Sequence, residues 1–166
     1  MRALILLIIL AGLSWWYFDY SHRMTDAQVR ELYTSQQEAI RQFDAERQCA
    51  QIDDDFHGRM LIRQGGQSSE QEFNKKQACD LITMSTNLSR RVADRTGGQY
   101  TPDVDIEIKS VELTPNRKQA TVQTVTTVRM GSTTISRDRS TDTLVRSHGR
   151  VRVLASDSNT WAYAPQ

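Results

Sequence analysis

The chain has 166 residues, with 21 basic and 20 acidic side chains, a formal net charge of +1 and 38% hydrophobic residues. Near-neutral charge excludes the basic footprint of a nucleic-acid-binding domain, so no nucleic-acid partner is expected. Beyond the first apolar stretch about 145 residues remain, enough for one compact domain with a core of its own and too few for two.

Residues 3–18 form an unbroken apolar run that follows Arg2 and carries Trp15, Trp16 and Tyr17 near its end. As a helix this run reaches about 24 Å, and extension to Tyr20 brings it near the roughly 30 Å hydrocarbon core of a bilayer. Residues 1–20 are therefore expected to form a retained single-pass signal anchor, with a cleaved signal peptide as the alternative and an ordinary buried helix as the bland one. Gly12 and Ser14 make a poor cleavage pattern, whereas the aromatic cluster suits the headgroup layer. The positive-inside tendency puts Arg2 in the cytoplasm. The domain is then held at the inner (cytoplasmic) membrane through residues 3–20 and faces the periplasm or extracytoplasmic space, or is secreted if cleaved.

A connector over 21–25 leads to a domain expected over 26–163. Thr25 and Gln28 have the spacing of a capping box, in which hydroxyl and amide satisfy backbone donors at a helix start. Val29, Leu32, Tyr33, Ala39, Ile40 and Phe43 then recur at helical steps, giving one apolar stripe that needs a sheet to cover. The only cysteines, Cys49 and Cys79, lie beside predicted helices and lack a metal-type spacing. In an oxidising compartment a disulfide between them would close a loop of about 30 residues and contribute roughly 3–4 kcal/mol; two buried free thiols are the alternative.

Residues 65–68 read as a loop, and Ser69 with Glu72 as the capping box of a second helix. Phe73, Leu81, Met84, Leu88 and Val92 supply its apolar face, and Gly97 and Gly98 end it. After Gly98 the apolar period changes to two. Val104, Ile106 and Ile108 alternate with Asp105 and Glu107, the mark of a strand with one wet face. A turn over 114–118, a β-branched stretch over 120–130, a further strand over 133–146 and a last one over 150–155 follow. Helices first and an antiparallel meander afterwards define an α+β class, since parallel strands need interleaved crossovers.

This order of elements resembles the nuclear transport factor 2-like superfamily, a cone in which N-terminal helices pack on a strongly curved antiparallel sheet. Asp54-Asp55-Phe56 and the closing string from Asp142 to Val153 carry the resemblance, which spans about residues 25–163. The superfamily holds isomerases, dehydratases and cyclases beside members that only bind or assemble, and sheet-to-sheet dimers are common in it. Homodimerisation through the Thr-rich 120–135 face is a corresponding expectation.

An isomerase of the ketosteroid type combines a carboxylate base with a tyrosine and a protonated acid that donate to an enolate in an apolar cavity; that chemistry is a standard example of pKa tuning. By resemblance Tyr33 matches the tyrosine and Asp142 the acid. The base register falls on Met60, between Arg59 and Leu61, and none of these takes a proton. Asp55 and His57 are the displaced-base candidates.

Plainer roles compete for each residue. Asp53, Asp54 and Asp55 read as a solvated loop cluster, since three consecutive side chains do not face one ion. His22, His57 and His148 fall in a linker, a loop and a turn, so no metal site is expected. Arg137, Arg139, Arg146, Arg150 and Arg152 read as a wet sheet face and as a candidate surface for an acidic partner. With no GxSxG elbow, phosphate loop or GxGxxG, no cofactor is expected either. The sequence thus points to a non-enzymatic, membrane-tethered domain that binds an envelope protein partner or a small apolar ligand in the cone cavity. A small-molecule isomerase or lyase is the alternative.

Overall fold

The computed structural model describes residues 9–14, 17, 23–147 and 149–163. Residues 9–14 are helical. Most of the expected membrane span, and His148, lie outside the described residues, among which no helix is long and apolar enough to cross a membrane.

The domain is α+β. Helix α1 (Asp26–Arg41) begins at the Thr25–Gln28 capping box, with Gln28 Oε1 accepting from the Thr25 N–H at 3.1 Å and Thr25 Oγ1 accepting from the Gln28 N–H at 3.3 Å. Phe43 adopts a left-handed φ of 54°, which ends α1 and redirects the chain into the short helix α2 (Ala45–Ala50). Strands β1 (Ile52–Gln64) and β2 (Gln67–Asn74) form a hairpin, followed by helix α3 (Lys75–Arg95). Strands β3 (Pro102–Leu113), β4 (Gln119–Met130), β5 (Thr133–Ser147) and β6 (Arg150–Ala162) complete a six-stranded sheet in the order β2-β1-β6-β5-β4-β3.

Three corrections concern the first half. Residues 52–64 form a strand where the acidic triplet and His57 suggested a loop, and residues 69–74 form a strand where Ser69 and Glu72 suggested a helix start. The box that opens α3 is Asn74 with Gln77, each accepting from the other's backbone N–H at 3.0 Å. Both strands violate local propensity: β1 opens on consecutive aspartates, and β2 is polar almost throughout. Pairing with β6 on one side and the tight 65–66 turn on the other stabilise what the residues alone do not. The third correction is to the sheet, which is antiparallel except where β1 runs parallel to β6. The β1–β2 hairpin and α3 supply the long connection that a parallel pair requires.

Register irregularities occur in the β1–β6, β3–β4, β4–β5 and β5–β6 ladders. Such bulges bend strands and increase twist, so the inner face wraps around the helices. Two hydrophobic clusters result. Met24, Val29, Leu32 and Tyr33 pack on Ala120, Val122 and Leu144, fixing α1 against the lower ends of β4 and β5. Ile52, Phe56 and Ala78, flanked by Phe73, Cys79 and Ile82, fix α3 against β1. In α3 the apolar stripe proposed from spacing is only partly used: Leu81, Met84 and Leu88 are exposed, while Ala78 and Thr86 are buried.

Candidate functional site

The space between the two clusters is a cavity of about 270 Å³. Tyr33 of α1, Phe56 and Met60 of β1, Phe73 of β2 and Leu81 and Ile82 of α3 reach it, as do inward residues of β3 to β6. Alternation along β5 decides its chemistry. Asp138, Ser140 and Asp142 line the cavity, whereas Arg137, Arg139 and Thr141 are exposed on the opposite face. The same alternation brings in Thr124 and Thr126 from β4, and Ser156 and Ser158 from β6. One wall is thus rich in hydroxyls and carboxyls and the other in apolar side chains.

Asp142 is the hub of the polar wall. Its Oδ2 accepts from the Tyr33 hydroxyl at 2.7 Å and from Ser140 Oγ at 3.3 Å, and its Oδ1 accepts from Ser156 Oγ at 2.7 Å. Ser140 in turn shares a hydrogen bond of 2.8 Å with Thr124. Burial pushes the Asp142 carboxyl above the usual carboxylate range, and hydroxyl donation from Tyr33, Ser156 and Ser140 opposes that push. Burial, followed by the nearby Asp142 charge, also raises the Tyr33 phenol far above its ordinary value, so its proton stays in place.

Asp138 is the second carboxyl in the cavity. Its Oδ1 accepts from Thr160 Oγ1 at 2.7 Å, while its Oδ2 has no hydrogen-bond partner among the described residues. Burial pushes it up, the Thr160 donor lowers it, and the Asp142 charge raises it.

Of the residues singled out in the sequence, Tyr33 and Asp142 converge on one wall of this cavity. Asp55 and His57 do not join them: both are exposed, and His57 borders an outer depression with Arg59, Glu72 and Asp157. Met60 lines the cavity, so the base register of the isomerases is filled by a thioether. Asp138, Thr124, Ser140 and Ser156 went unnoticed as site residues. Counting in twos back from Asp142 would have reached Ser140 and Asp138; the hydroxyls of β4 and β6 had no comparable signal.

The acidic triplet divides its roles. Asp53 is buried and accepts from the Asp55 N–H, while Asp54 forms ion pairs with Lys75 at 2.7 Å and Arg152 at 4.0 Å. The arginines likewise form no single stripe. Arg146 donates to the Arg23 carbonyl, Arg152 faces Asp54, and Arg139 lies 5.7 Å from the centre of the Trp161 ring, as does Arg63. Cys49 and Cys79 are neighbouring free thiols, so the expected disulfide is absent from this structure. Burial, with the neighbouring Cys79, pushes the Cys49 thiol up to about 12.

No protein-family model and no curated protein matches the chain. Solved structures do. A putative scytalone dehydratase from Novosphingobium aromaticivorans superposes with a TM-score of 0.57 at 9% identity, covering 84% of this chain and 88% of that one. A nuclear transport factor 2-like protein of unknown function from Shewanella oneidensis gives 0.54 at 12% identity, over 82% and 99% of the two chains. Another such protein, from Pseudomonas putida, gives 0.54 at 15%, over 81% and 84%. The protein thus has the nuclear transport factor 2-like fold, as its order of helices and strands implied.

Proposed function

We propose that this protein is a membrane-tethered domain whose cone cavity binds a small amphipathic molecule. The observation that carries this is the Tyr33–Asp142 hydrogen bond set into the wall of a 270 Å³ cavity whose other side is apolar. A few placed polar groups opposite hydrophobic side chains are the ordinary composition of a ligand pocket, which orients one end of a molecule and buries the rest. The volume lies near the small end of such pockets, so the ligand has one or two rings or an equivalent chain.

The tether is residues 3–20, with the domain outside the cytosol. Its attachment point fits: the Met24 N–H donates to the Arg117 carbonyl at 2.6 Å in the β3–β4 turn, and Arg146 donates to the Arg23 carbonyl. The chain therefore joins the domain at one end of the sheet. In that oxidising location the adjacent thiols of Cys49 and Cys79 become a disulfide.

A lyase or isomerase is the second reading, favoured by the convergence of Tyr33 and Asp142 in one cavity. In it Asp138, not Asp55 or His57, takes the part of the base, because it is the remaining carboxyl that lines the cavity.

Thermal shift of the full chain against a panel of small cyclic ketones, phenols and amines tests the cavity. Stabilisation by at least one compound, lost in S140L, which fills the cavity from β5, is the expected result; a panel without effect on the wild type removes the proposal. Turnover of any stabilising compound, abolished in D138N, would move the second reading to first place. Carbonate extraction of membranes tests the tether: the full chain should stay in the pellet and a chain lacking residues 3–20 should not.

A further inference from the structure

The charge of the cavity wall narrows the ligand class. Two carboxyls, Asp138 and Asp142, line the cavity, and no lysine, arginine or histidine does so among the described residues. A buried carboxylate is stable only when paired or saturated with hydrogen bonds. Asp142 is saturated: donors from α1, β5 and β6 occupy both of its oxygens. Asp138, which is half-buried where it lines the cavity, is not: its one side-chain hydrogen bond among the described residues comes from Thr160 to Oδ1. Strand β5 places the two acids on one face with Ser140 between them, and no cation among the described lining residues balances either one.

We propose that the cavity is selective for a small amine, whose protonated nitrogen sits against Asp138 while its hydrocarbon part lies on Phe56, Phe73 and Ile82. This rests on the cavity reading above and gives that site its ligand class. An ammonium supplies what Asp138 lacks, a charge-assisted donor, and such a bond is about twice as strong as a neutral one. A carboxylate or phosphate ligand would instead add a third negative centre with nothing to offset it. A neutral alcohol satisfies the acceptor without its charge. The ranking expected from these three cases is amine, then alcohol, with the anion excluded.

The experiment uses the full chain in phosphatidylcholine nanodiscs, with empty nanodiscs as the blank, and titrates naphthylmethylamine, naphthylmethanol and naphthoate calorimetrically at neutral pH. These probes share one ring system of a size suited to the cavity and differ in the charge of the head. The amine is expected to bind at least about tenfold more tightly than the alcohol, with no detectable binding of naphthoate. In D138N the amine should fall to within about threefold of the alcohol, because the carboxamide keeps the shape and the Thr160 contact but loses the charge.

Binding of the alcohol as tightly as the amine, or any measurable binding of naphthoate, would overturn the amine assignment while leaving the cavity reading intact. An amine preference that survives in D138N would overturn the placement against Asp138. Silence from all three probes at wild type would count against the cavity reading itself. Should D138N fail to fold, the wild-type ranking decides.

Discussion

The Tyr33 hydroxyl donates to Asp142 Oδ2 at 2.7 Å, joining the middle of α1 to β5 across 109 positions of sequence. Both side chains are buried, so neither partner has water in reserve. Loss of one therefore strands the other, and the cost exceeds that of an ordinary surface bond.

For Y33F a loss of about 1–2 kcal/mol in unfolding free energy is expected, and more for D142A, which removes the acceptor shared by Tyr33, Ser140 and Ser156. Urea unfolding of both variants and of the double variant measures the coupling. A coupling below about 0.5 kcal/mol would mean that the contact does not hold α1 to the sheet.

The carboxyl pair sets a pH dependence. Asp138 and Asp142 hold their protons to higher pH in the folded protein than in the unfolded chain. As pH rises past the ordinary carboxylate value, the unfolded chain releases these protons first, and stability falls until the raised folded values are passed. The contribution is fully present below the unfolded value and lost above the folded ones. D138N should therefore flatten the decline in melting temperature that begins as pH rises above about 4, relative to wild type. An equal slope in both proteins would contradict the shift at Asp138.

Gly58 and Phe73 face each other on β1 and β2, and a methyl group at Gly58 would lie 2.5 Å from Phe73 Cε2 and 3.0 Å from Phe56 Cζ. G58A is expected to destabilise by about 1–3 kcal/mol through overpacking. Combining it with F73L should recover part of that loss, measured by thermal melting. Simple additivity of the two changes would show that the ring is not the obstacle.

Cys49 and Cys79 yield a fourth test. With its thiol pushed up to about 12, Cys49 should alkylate slowly near pH 8, while diamide should take one hydrogen from each thiol and leave an intramolecular bridge. Intact mass reads both outcomes. The oxidised form should resist urea better, by at most roughly 3–4 kcal/mol. Two thiols still fully alkylated after diamide treatment would exclude the bridge.

Much of the framework was legible in the residues. Local signals suffice where hydrogen bonds are local: the Thr25–Gln28 box opened α1 as expected, and alternation in 104–108 and the β-branched run in 120–130 marked β3 and β4 within a few residues. The hairpin β1–β2 was not legible, because its aspartates, serines and glutamates favour loops or helices, and pairing of β1 with β6 and of β2 with β1 overrides them.

The sequence by itself determined the apolar stretch at residues 3–18 and the α+β class, since each depends on composition or period along the chain; Tyr33 and Asp142 came from the family resemblance. Tertiary structure alone decided which carboxyls share a cavity. Asp138 and Asp142 face inward while Asp55 and His57 do not, because strand register assigns every side chain to one face or the other and is set by neighbouring strands.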